Sequence, residues 1–177
     1  METSAQQRQA SSEFLASVEI LSAFTPEELD QLAESIETRA YAFGDAICSA
    51  GDAAEGLYVI KSGSVRVFGE EHGKEISMGV RKTGEVFAEV AMLRPYRHEL
   101  SARAALKTEL WFIPRTAIEP VIARNSAALD FINNYVAISS AGGLVARLFD
   151  LRGKVSKPEL EEFVRSVGVK RVGAGKE

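Results

Sequence analysis

The sequence predicts an α+β protein that is mostly β, an antiparallel β-roll of the jelly-roll kind with helices before and after it. Three observations lead there. Between Arg39 and Ile113 apolar residues alternate with their neighbours, as at Tyr58/Ile60 and Val65/Val67. Glycine, often followed by an acid, recurs through the same stretch at Gly44-Asp45, Gly51-Asp52, Gly63, Gly69, Gly73, Gly79 and Gly84, as expected of short strands joined by turns. On both sides of this stretch the apolar period becomes helical.

Met1 to about Ser12 is polar and predicts a frayed lead-in to a short helix around Phe14 to Leu21. Thr25-Pro26-Glu27-Glu28 then supplies an N-cap hydroxyl, a proline at the first helical position and a glutamate able to close a capping box. Leu29, Leu32, Ala33 and Ile36 follow at helical spacing, so a short amphipathic helix precedes the roll. After the roll, Ile118, Val121 and Ile122 mark a short helix. Leu129, Ile132, Val136, Leu144, Val145 and Leu148 mark a longer one, which Gly142-Gly143 is expected to break or bend.

Composition narrows the function. With 21 Lys+Arg against 25 Asp+Glu, a net charge of -4, the chain lacks the basic excess that drives phosphate-backbone binding, so nucleic acid is not an expected partner. No apolar run reaches the roughly 20 residues of a membrane span, and the start lacks the apolar core of a secretory signal. The expected address is the cytoplasm, with no membrane insertion. One cysteine, Cys48, and two histidines, His72 and His98, make neither an internal disulfide nor a metal-spaced cluster. Cys48 reads as a strand residue of the core, and no cofactor is expected.

The order Gly44-Asp45-Ala46-Ile47, Gly51-Asp52, Leu57-Tyr58-Val59-Ile60, Gly63, Val65-Arg66-Val67 resembles the cyclic nucleotide-binding domain family. So does Gly84-Glu85-Val86-Phe87-Ala88-Glu89-Val90-Ala91-Met92-Leu93, followed by Leu110-Trp111-Phe112-Ile113. The resemblance spans about Leu21 to Leu148. It implies a lead-in at 1–20, one such domain at 21–150, a phosphate-binding cassette between two strands of the roll, and helices behind it that swing on binding. The ligand it implies is cyclic AMP, cyclic GMP or a related cyclic nucleotide.

A glycine-bounded turn running through Phe87 into a short helix at Glu89 to Leu93 would aim backbone N–H groups at an anion. Glu89 has two readings: a carboxylate accepting from a ribose hydroxyl, or one that stabilises a helix start. The candidate site is therefore Phe87, Ala88, Glu89, Val90, Ala91, Arg97, His98 and Ser101. Three features depart from the family pattern of Phe-Gly-Glu, an Arg some nine positions later, then small residues. Ala88 stands for glycine, His98 for the arginine, and Glu99-Leu100 for small residues. An imidazole is mostly neutral at pH 7 and offers no guanidinium fork. Arg97 or Arg94 would have to supply the charge instead. Trp111 and Tyr135 are expected to pack, though Tyr135 is placed to cover a base, and Arg103 is expected on a solvated strand face.

Ser156 to Glu177 repeats the start of the domain at a step of 131: Thr25/Ser156, Glu28/Glu159, Leu29/Leu160, Leu32/Phe163, Ile36/Val167 and Gly44/Gly175. Residues 151–177 then read as the opening of a second such domain, or as a C-terminal helix. The terminal Gly173-Ala174-Gly175-Lys176 is too short for a phosphate-binding loop. No nucleophile and base pair is evident, so an enzyme is not expected. The function read from the sequence is a regulatory domain with a degenerate cassette, sensing a cyclic nucleotide or related ligand inside a larger signalling or transport protein such as an ABC transporter. Its partners would be a second copy or an output domain in the same chain, or another protomer in a homodimer. The alternatives are a ligand-independent docking or dimerisation module, and a catabolite-activator-type transcription regulator without its DNA-binding part.

Overall fold

A computed structural model describes residues 2–148 and 155–167. The chain divides into two units, Met1–Asn133 and Asn134–Glu177. The first holds helix α1 (Glu2–Ala16), a 3-10 turn at Glu19–Leu21, α2 (Pro26–Ala33), ten strands and α3 (Arg115–Ile122). Helix α4 (Ser126–Leu148) begins in it, and α5 (Lys157–Val167) lies in the second unit.

The strands are β1 (Glu37–Tyr41), β2 (Ala46–Cys48), β3 (Ala53–Ala54), β4 (Gly56–Ser62), β5 (Ser64–Glu71), β6 (Lys74–Lys82), β7 (Val86–Phe87), β8 (Tyr96–Arg97), β9 (Ser101–Ala104) and β10 (Thr108–Pro114). They form two four-stranded sheets, β1-β10-β4-β7 and β2-β9-β5-β6, and a small ribbon β3-β8. Every pairing is antiparallel. The expected roll is therefore present, within a residue or two of its expected limits. Tyr58, Ile60, Val65, Val67, Phe87, Ala102, Leu110 and Phe112 fill its interior.

The recurring glycine-acid pairs have a local cause. Asp45 accepts the Ala42 N–H at 2.7 Å, Asp52 that of Ser49 at 3.1 Å, and Glu85 that of Lys82 at 2.7 Å. In each, the glycine before the acid has positive φ, so the turn folds back far enough for the carboxylate to reach an N–H three residues upstream. These clamps fix where strands end without needing a ligand.

The capping box is as expected: the Thr25 N–H donates to Glu28 at 2.9 Å and Thr25 Oγ1 accepts the Glu28 N–H at 3.3 Å. Asn125 caps α4 through the Ala128 N–H at 2.9 Å and donates to the same Glu28 at 2.8 Å, tying two helix starts together. Trp111 is buried on the outer face of its sheet, with Phe14 edge-on at 5.2 Å and the Lys61 ammonium 4.6 Å from its ring.

Two helical expectations need correction. The lead-in is a full helix, not a frayed end, because Ala10 and its Gln and Arg neighbours are good helix formers. Polar contacts to α2 also hold it: Arg8 to Glu34 at 3.2 Å, and Ser12 to Asp30. Helix α4 runs unbroken through Gly142-Gly143. A Cβ on Gly142 would stand 3.6 Å from Leu160 Cδ2, so within its own unit this glycine is the seat for α5, which offsets its helix penalty of about 1 kcal/mol.

Candidate functional site

Phe87 ends β7 opposite Tyr58, and the two rings stack at 4.7 Å with planes 1° apart. The next residue, Ala88, lies in the left-handed region at φ 61, ψ 26, the conformation for which a glycine is usual. This bend turns the chain out of the sheet into a 3-10 turn, Glu89–Met92, shorter than the expected helix to Leu93. Ala91 and Met92 are buried, while Glu89 and Val90 are half-buried. The Ala91 N–H is used within the turn, donating to Ala88 O at 3.0 Å.

The chain then pairs β8 with β3, Ala53 opposite Arg97 and Ala54 opposite Tyr96. Alternation turns Arg97 outward, where its guanidinium donates to the Gly51 carbonyl at 2.7 Å. His98 turns inward and is buried. Its backbone is held at both ends, N–H to Asp52 O at 2.9 Å and O from the Gly51 N–H at 2.8 Å. Burial lowers the imidazole pKa below its ordinary value, with Asp52 opposing, so the ring is neutral at pH 7.

Beyond it, Glu99 is exposed and Leu100 packs on the roll interior. Ser101 Oγ accepts the Ala50 N–H at 3.0 Å, a link between β9 and the β2-β3 turn. Tyr96 has its phenol pushed up to about 12, first by burial and then by the negative charge of Glu99 and Glu89. The two carboxylates thus border one small region. From Phe87 to Ser101 the basic side chains are Arg94 and Arg97, both exposed, and the neutral His98.

The structure brings Phe87, Ala88, Glu89, Val90, Ala91 and His98 to one margin of the roll and sends Arg97 to its outer side. Arg103 is half-buried on its strand, paired with Glu75 and lying 4.4 Å from the Phe68 ring. Cys48 is half-buried against the interior, its thiol raised to about 11 by burial. Tyr135 lies in the second unit. Sequence reasoning missed two cations. Arg39, on β1, lies 3.8 Å from the Phe112 ring and donates to the Tyr58 hydroxyl at 3.2 Å. Arg81, on β6, is paired in register with the core residue Val65.

Residues 38–125 match the family model of the cyclic nucleotide-binding domain. The chain carries a cyclic nucleotide-binding domain. The domain is 32% identical over 110 residues to a cAMP-dependent protein kinase regulatory subunit of Blastocladiella emersonii, covering 60% of this chain and 27% of that one. It is 34% identical over 112 residues to a cyclic AMP receptor protein of Thermus thermophilus, covering 59% of this chain and 51% of that one. Among solved structures, the regulatory domain of Toxoplasma gondii PKA with cAMP matches with a TM-score of 0.67 at 18% identity, covering 76% of this chain and 51% of that one. The chain thus spans about a quarter to a half of the length of these proteins. Among the described residues no helix is long and apolar enough to cross a membrane.

Proposed function

We propose that this domain is a non-catalytic sensor in a larger regulatory protein, and that its cassette has lost the phosphate-binding cation. It therefore holds cyclic AMP and cyclic GMP only weakly. One observation carries this reading. Where the cassette should offer a fixed positive charge it offers a neutral His98, with Glu89 and Glu99 nearby and Arg97 spent on Gly51. A charge-assisted hydrogen bond contributes about 1.5–3 kcal/mol, so its absence weakens binding about 10- to 100-fold.

The left-handed Ala88 keeps the backbone path expected of a glycine, so the cassette retains its shape while its charge has changed. Glu89, half-buried at the start of the turn, remains positioned to accept from ribose hydroxyls. The larger context is supported by α5. Its Ser156 N–H donates to Glu159 at 2.9 Å and the Ser156 hydroxyl faces the Glu159 N–H at 3.5 Å, the same box as Thr25 and Glu28. Phe163, the counterpart of the fully buried Leu32, is 52% exposed, as a helix that opens a second roll would leave it. Gly175 of the repeat and the boundary at 150 lie outside the described residues.

Titration calorimetry with cyclic AMP and cyclic GMP tests the reading. The expected dissociation constants are in the high micromolar range or weaker, Glu89→Ala weakens them further, and His98→Arg with Glu99→Ala tightens them at least tenfold. A sub-micromolar constant for the unaltered chain would sink the proposal.

A further inference from the structure

One corner of the roll carries two large apolar side chains that the core does not use. Tyr41 of β1 pairs with Thr108 of β10; beyond it the Gly44 N–H donates to Ala104 O at 2.8 Å, and the Ala104 N–H donates to Asp45 O at 2.9 Å. Between these bonded points Ala42-Phe43 runs beside Ala105-Leu106-Lys107, which brings Phe43 and Leu106 to the same corner. Phe43 is 79% exposed and Leu106 58% exposed. Neither belongs to the interior cluster, although Tyr41 and Ile47, on either side of the first turn, pack against it.

Both turns are held by their own hydrogen bonds. The Asp45 carboxylate accepts the Ala42 N–H at 2.7 Å and Gly44 has a φ of +88, so the first turn fixes Phe43 at its tip. In the second, the Ala105 N–H donates to Ser64 O at 2.8 Å and the Thr108 hydroxyl lies 2.9 Å from Leu106 O. Past a bulge at Met78, β6 ends beside the same place, with Lys82 opposite Ser64. Lys82 and Lys107 are exposed and, among the described residues, have no ion pair. The carboxylates nearby, Asp45 and Glu85, are turned back onto the N–H groups of Ala42 and Lys82.

We infer that this corner docks on the surface of an anionic lipid bilayer, with Phe43 and Leu106 entering the acyl boundary and Lys82 and Lys107 resting on the headgroups. Two side chains at turn tips offer far less than the ~800 Å² per partner of a stable protein interface, so a second copy of the chain is poorly served. A bilayer needs no matching groove. It is fluid, accepts a wedge, and rewards exposed apolar area combined with nearby cations. Such contact requires no spanning segment, and no cassette residue takes part.

The test is co-sedimentation of the full chain with vesicles of phosphatidylcholine alone and of three parts phosphatidylcholine to one part phosphatidylserine. The expected result is binding to the mixed vesicles that falls at least about tenfold in the double variant Phe43→Ser, Leu106→Ser. Lys82→Ala and Lys107→Ala should each weaken it about fivefold, and added salt should weaken it further. The melting temperature of the double serine variant should stay within about 2 °C of the parent, since both side chains lie mostly in solvent. Phe43→Trp gives a second readout: its added emission should shift to shorter wavelength on the mixed vesicles, because an interfacial indole leaves water. Absence of binding to the mixed vesicles, binding that survives the double serine variant, or a Phe43→Trp emission that lipid does not alter overturns the inference. A dimer in sedimentation equilibrium that is lost in the double serine variant, with no vesicle binding, overturns it too and assigns the corner to a second copy. None of these outcomes touches the sensor reading, which rests on the cassette.

Discussion

Thr108→Val is the perturbation whose cost follows most directly from the coordinates. The Thr108 side chain is buried at the start of β10. Its hydroxyl accepts the Ser64 N–H at 3.2 Å and lies 2.9 Å from the carbonyls of both Ser64 and Leu106, to which its single proton is donated. Valine keeps the volume and removes all three contacts. The Ser64 carbonyl keeps the Ala105 N–H at 2.8 Å, so the principal loss is the acceptor for a buried N–H. Leaving such a group unmatched costs about 1–3 kcal/mol. For a chain of this size that is a fall of about 4–8 °C in melting temperature, taking about 2 kcal/mol as the central value. Thr108→Ser is the control: it keeps the hydroxyl and removes one buried methyl, at about 0.8 kcal/mol. Thermal melts followed by circular dichroism, with urea titration for the free energies, separate the two. A valine variant as stable as the parent, or a serine variant less stable than the valine one, would refute the reasoning.

Three further outcomes are expected. Burial holds His98 below the ordinary imidazole pKa of 6.5, so at low pH the unfolded chain binds a proton that the folded chain resists. Its contribution to stability is thus fully present above pH 6.5 and is lost as the pH falls from there through the folded value, so His98→Asn should flatten the drop in melting temperature between about pH 7.5 and 5.5. Ala88→Gly relieves a left-handed alanine, worth about 1 kcal/mol, but restores chain entropy to the unfolded state, so stability should stay within about 0.5 kcal/mol; Ala88→Val should lose more than about 1 kcal/mol in the same urea titration. Truncation after residue 154 should leave the melting transition of the roll within about 2 °C, and loss of its β-type spectrum would make 155–167 integral to the first unit.

The roll was legible because its signals are local. A positive-φ glycine followed by an acid is both a visible pair of letters and a self-contained hydrogen-bonded turn, at Gly44-Asp45, Gly51-Asp52 and Gly84-Glu85. The strain at Ala88 was legible for the same reason. What escaped depends on distant partners. The first helix reads as frayed because its stabilising contacts, Arg8 to Glu34 and Ser12 to Asp30, lie outside its own sequence. Gly142 reads as a breaker until Leu160 is seen beside it. On β6 the letters Ile76, Met78 and Val80 alternate faultlessly and would put Arg81 in solvent; only the pairing with β5 reveals that the bulge reverses the second half of the strand. In the cassette, the departure at His98 was readable, but the outward turn of Arg97 onto Gly51 was not.

The stacked pair Tyr58 and Phe87 sets what can move when a ligand arrives. Tyr58 is also tilted against Phe112 at 4.9 Å, and Arg39 lies on Phe112 from the far edge, so a row of planar groups crosses the whole sheet and ends at Phe87. Phe87 is thereby a fixed post. The freedom begins at Ala88, and the turn behind it packs on both β4 and α3. In the proposed sensor, a displacement of Glu89 would pivot about one alanine, with its fulcrum inside the cassette, and would load α3 as well as β4.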